Sequence, residues 1–173
     1  MRRAAGPCAL LALCAGCELI LLADKADQIE DDLDTPTAEL DATGPVIELA
    51  PGALAEFDVH IASSVYFRAA DVTLTGSTRA LAAGGEPGFD LELEEYECVT
   101  SSCRDVAIQR HLYAGDEFEL TGRLTCEGDC LELPAVLRVE LADGPIGIEV
   151  VWAIEVRIEG PEEEDASLVI EAR

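Results

Sequence analysis

The stretch Ile146-Gly-Ile-Glu-Val-Val-Trp-Ala-Ile-Glu-Val-Arg-Ile-Glu159 alternates two kinds of residue. Ile146, Ile148, Val150, Trp152, Ile154, Val156 and Ile158 form one set, and Gly147, Glu149, Val151, Ala153, Glu155, Arg157 and Glu159 the other. A period of two places each set on one face of a strand, whereas a helix would scatter both around its cylinder. This is therefore a long strand with one buried face. Leu131, Leu133, Ala135, Leu137, Val139 and Leu141 repeat the pattern, and so do Phe118, Leu120, Leu124 and Cys126.

Shorter strands are expected at 46–49, 56–62, 65–68, 71–76, 89–98 and 105–112, and 167–172 is expected to return against the long strand. Turn chemistry separates them: Pro51-Gly52, Gly84-Gly85-Glu86-Pro87-Gly88, Ala114-Gly115-Asp116 and Asp143-Gly144-Pro145. Eight to ten such strands between residues 45 and 173 predict an all-β fold, an antiparallel sandwich or barrel. Of the two, the antiparallel β-sandwich, immunoglobulin-like or jelly-roll-like, is the one expected. Phe57, Phe67, Phe89, Phe118 and Trp152 fall in core phase, leaving Tyr66, Tyr96 and Tyr113 for the surface.

Working back toward the start, Asp24 to Gly44 is polar and acidic and holds Thr35-Pro36-Thr37 and Thr43-Gly44-Pro45. Such a segment cannot bury enough apolar surface to fold, so 17–44 reads as a flexible tether, with a short helix near 19–33 an option. Ahead of it lie Arg2, Arg3 and an apolar run from Ala4 to Ala15, the parts of a secretory leader. The apolar run from Cys8 to Ala23 holds Glu18 and is short of the roughly 20 residues a membrane span requires. Leu13-Cys14-Ala15-Gly16-Cys17 resembles the lipobox of bacterial lipoprotein precursors, although Cys14 stands where that family usually carries an aliphatic residue. The resemblance implies a signal peptide at 1–16, cleavage before Cys17, and a lipid on the Cys17 thiol. It also implies an exported protein held in the bacterial envelope, at the outer membrane or cell surface rather than the inner membrane.

With Cys8 and Cys14 in the leader and Cys17 lipidated, four of the seven cysteines remain: Cys98, Cys103, Cys126 and Cys130. An exported chain keeps disulfides. The close spacings suggest two hairpin tips, each stapled locally, 98 to 103 and 126 to 130. A zinc site is the rival use of four thiolates, but the CxxC spacing is missing. Both tips are expected to point the same way, gathering Thr100, Ser101 and Ser102 with Glu127, Gly128 and Asp129 into a polar recognition end.

Beyond residue 16 the chain carries nine Lys+Arg against 36 Asp+Glu, a formal charge of −27. That argues against nucleic acid and anionic lipid surfaces as partners. Asp24 to Asp34 is dense in carboxylates but lacks the alternate spacing and central glycine of an EF-hand loop, so no metal is assigned. His60 and His111 fall in outward strand phase, and the chain lacks the Gly-x-Ser-x-Gly, His-x-x-x-His and phosphate-loop patterns. The carboxylate pair Glu94-Glu95 does not stand out in so acidic a sequence.

Ile47-Glu-Leu-Ala-Pro-Gly-Ala-Leu-Ala-Glu-Phe-Asp-Val59 resembles the opening hairpin of bacterial immunoglobulin-like envelope domains. The local cysteine pairs and the late tryptophan depart from the antibody pattern, so the likeness implies architecture alone. The expected function is a non-enzymatic structural or protein-interaction module without cofactor, tied to the membrane by its lipid and meeting another envelope protein. A small-ligand or calcium-binding sandwich is the alternative, and an envelope enzyme the third.

Overall fold

The computed structural model describes residues 35–95 and 106–173, apart from the side chain of Glu127. The leader, Cys17, the tether up to residue 34, Tyr96, Cys98, Thr100, Ser101, Ser102 and Cys103 lie outside the described residues.

The alternating stretch forms β7 (Ile148–Glu159), and each of Ile148, Val150, Trp152, Ile154, Val156 and Ile158 is buried. Its partners are β1 (Thr37–Thr43) and β2 (Ile47–Leu49) on one side and the second half of β3 (Leu54–Ala80) on the other. The rest of the sheet is β4 (Gly88–Glu95), β5 (Val106–Tyr113), β6 (Glu117–Leu141) and β8 (Ala166–Ala172), the last preceded by a 3-10 turn at Glu163–Asp165. All pairings are antiparallel, in the order β1-β7-β3-β6-β4-β5, with β2 added on β7 and β8 on β3. The fold is an all-β antiparallel sandwich.

Two layers arise because β3 and β6 are long enough to serve both. The first half of β3 pairs with the second half of β6 and with β8, and its second half pairs with the first half of β6 and with β7. One layer is thus β5-β4-β6-β3-β8 and the other β6-β3-β7-β1. They close on a single core, in which Phe57 of the first layer meets Trp152 of the second with ring centroids 5.5 Å apart. Phe67, Phe89 and Phe118 are buried in the same core.

Several expectations are corrected. Residues 37–43 are not tether: Ala38 is fully buried in β1, and the folded unit begins at Pro36 rather than 45. The alternation Thr-Ala-Glu-Leu-Asp-Ala-Thr supplies a half-buried edge strand despite its two acids. The strands expected at 56–62, 65–68 and 71–76 are one strand, β3. The final strand lies against β3 and not against β7, since β1 already occupies that edge of β7. Finally, Ile47–Val59 is not a hairpin, because β2 pairs with β7 while β3 pairs with β6 and β8.

Candidate functional site

The expected hairpin tip at 126–130 is also absent. β6 runs on in one direction through Cys126 and Cys130, and its pairing with β3 is interrupted by two bulges. On β3, residues 63–66 bulge out where β6 offers only Leu131; on β6, residues 126–129 bulge out where β3 offers only Arg68. Between them stands the single pair Phe67 with Cys130. Bulges bend a strand and re-aim its side chains, and here they turn the β3/β6 ribbon from one layer into the other.

The Cys126–Cys130 disulfide closes the β6 bulge, with Cα atoms 6.1 Å apart, and Gly128 at its apex has φ +100°. That left-handed backbone explains why glycine stands at the centre of the loop. Both cysteines lean on the core from its margin. Asp129 Oδ1 accepts a hydrogen bond of 2.6 Å from Arg68 Nε across the two bulges, and this bond, with the carboxylate charge, raises the guanidinium pKa above its ordinary value. On β3, Ser63 Oγ accepts from the Val65 amide at 3.0 Å, and Ser64 Oγ donates to Asp165 at 2.6 Å, tying the bulge to the 3-10 turn.

What this corner offers to solvent is apolar as well as polar. Tyr66 is 65% exposed, Val65 40% and Leu131 39%, all within the two bulges or beside them. A shallow cavity of about 430 Å³ lies alongside, lined by Ser63, Ser64, Leu131, Glu132, Asp165 and Ser167 among others. Of the expected recognition end, Gly128 and Asp129 belong to this corner, while the side chain of Glu127 and residues 100–102 lie outside the described residues. The neighbours it does gain are Val65, Tyr66, Arg68 and Leu131. Tyr66 was legible as a surface ring, but the placement of β3 beside Cys130 was not, since it depends on a bulge.

A second constellation lies on the outer face of the first layer. Arg138 on β6 donates from Nε to Glu56 Oε1 at 2.7 Å and from Nη1 to Glu94 Oε1. Glu94 is only 4% exposed, and its Oε2 has no hydrogen-bond partner among the described residues. The hydrogen bond to Glu56 leads the causes that raise the Arg138 pKa, with the charge of Glu94 adding to it and burial opposing. Cross-strand register assembles this pair, setting Arg138 opposite Glu56 and Glu92. It is a structural ion cluster, since both carboxylates are tied to a permanent cation.

The third feature is a slot of about 320 Å³ where β5 and the first half of β6 diverge, lined by Ala107, Ile108, Gln109, Arg110, Glu119, Leu120 and Thr121. At Gly122 the two strands touch, because a Cβ there would collide with the Ala107 carbonyl.

Both histidines sit on the exposed faces of their strands. His111 Nδ1 lies 2.8 Å from Asp90 Oδ1 and its ring meets Tyr113 edge-on, at a centroid distance of 5.1 Å. Among the described residues no group of three or more His, Cys, Asp or Glu converges as a metal site, and no helix is long and apolar enough to cross a membrane. The chain matches no family model and no curated protein.

Proposed function

We propose that this protein is a lipid-anchored module of the bacterial envelope that works by contacting another envelope protein, and not by catalysis. The observation that carries the reading is the double-bulge corner. It presents Tyr66, Val65 and Leu131 to solvent from backbone pinned by a disulfide, an ion pair and two serine hydrogen bonds. An exposed aromatic on rigid backbone loses little entropy when it is covered, which is why such residues anchor interfaces. The leader ending in Cys17 supports the anchor.

Two experiments test the two halves of the proposal. Metabolic labelling with a fatty-acid analogue should mark the wild-type chain and not Cys17→Ser; equal labelling would dismiss the anchor. A photoreactive residue at position 66 should crosslink to a defined envelope protein in intact cells, while the same residue at position 153, on the opposite layer, should not. Indistinguishable crosslinking from the two positions would dismiss the corner as the contact surface.

A further inference from the structure

The two bulges are equal and opposite. Ala62 faces Glu132 before them and Ala69 faces Thr125 after them, and both pairs belong to the same register. Only Phe67 opposite Cys130 stands out of it, by three residues. Both flanks are therefore compatible with a second pairing in which the ladder runs straight through, with Ser63 opposite Leu131, Val65 opposite Asp129 and Arg68 opposite Cys126. Such a ladder would take up backbone groups that the bulges leave outside it. One covalent feature forbids it. Residues four apart in an extended strand are about 13 Å apart, whereas the disulfide holds the Cα atoms of Cys126 and Cys130 at 6.1 Å.

We propose that the Cys126–Cys130 bond is a register lock, which bars the straight pairing of β3 with β6 and commits the ribbon to the bulged corner. The straight form is a true competitor and not a harmless variant. Ile61 and Ala70 are an odd number of residues apart and both are buried, yet an uninterrupted strand would turn them to opposite faces. It would also lengthen the ribbon by three residue steps, about 10 Å, and carry Phe57 away from Trp152. Core packing rewards the bulged form only after both layers have met, so the lock acts earlier, while the ribbon is pairing. Opening it is a two-electron step. A dithiol supplies two electrons and two protons, leaving thiols at Cys126 and Cys130 and closing its own disulfide.

The test is pulse-labelled hydrogen exchange during refolding, comparing the full oxidised chain with Cys126→Ser/Cys130→Ser. In the unlocked variant the amides of 63–68 and 126–131 should gain about tenfold protection or more in an early species, and the oxidised chain should never show that species. A staple that merely stabilises would lower protection in the variant or leave it unchanged, and either result overturns the lock. So does equal early protection in both chains. If the variant fails to reach the native state, the protection pattern of whatever it forms decides the question in the same way.

Discussion

Trp152 is held from three directions. Its ring meets Phe57, its Nε1 donates to the Pro45 carbonyl at 3.1 Å, and Gly44 leaves the space its indole fills. Trp152→Ala should therefore cost about 3 to 5 kcal/mol in chemical denaturation, and Gly44→Ala should destabilise as well because its Cβ would enter the indole. The strand phase announced the burial of Trp152. It could not announce that of Glu94, which sits in outward phase yet is buried, with Arg138 as its ion partner. Arg138→Ala would strip that carboxylate of its counter-charge, at an expected cost of about 3 to 5 kcal/mol. Adding Glu94→Gln should recover part of the loss, and a double-mutant cycle that finds no coupling would contradict the cluster. A raised arginine pKa contributes stability that is full below the ordinary arginine value and is lost as pH rises through the folded one. Arg138 should accordingly impose no pH dependence between about pH 6 and 10.

At the scale of elements, the sequence announced strands well and their continuity poorly. The apolar phase on β6 is even at Phe118 and Leu124 and odd from Leu133 to Leu141, and β3 switches from odd at Phe57 to even at Leu74. A phase switch has two physical causes, a chain reversal or a bulge with an odd number of extra residues. The paired cysteines and the central glycine made a reversal the natural reading at 126–130, and local sequence holds nothing that separates the two. Where the turns are real, the structure secures them: the hydroxyl of Thr78 accepts from the Gly115 amide at 3.0 Å and faces the carbonyls of Tyr113 and Asp116, pinning the β5–β6 turn onto β3. Thr78→Val keeps the shape and removes those bonds, so it should destabilise by about 1 to 3 kcal/mol. The Gly115 amide also donates to the Thr78 carbonyl at 3.1 Å, a bond that Thr78→Val keeps, so the loss should be read in stability, with Thr78→Ser closer to wild type. His111→Ala, which breaks an exposed pair with Asp90 and an edge-on contact with the exposed Tyr113 ring, should change stability by less than about 1 kcal/mol.

Across the whole molecule the dominant quantity is charge. From Pro36 to Arg173 the chain has 29 Asp+Glu and eight Lys+Arg, a formal −21, so self-repulsion works against the compact state. Raising salt from about 20 to about 300 mM shortens the Debye length from about 20 Å to about 6 Å and so screens that repulsion. The thermal midpoint should therefore climb, and a midpoint indifferent to salt would show that the ion pairs and the repulsion cancel. The arrangement around β3 has a consequence of a different kind. This central strand takes its partners from β6, β7 and β8, so Phe57 waits for Ala172 and Ala70 for Ile158. As the chain is made from its amino end, neither layer can close until almost the last strand has emerged, and long-range pairing of this sort is slow. For a polypeptide threaded through an export channel, as proposed above, that delay keeps it pliable enough to pass and postpones its first chance to fold until it has reached the far side.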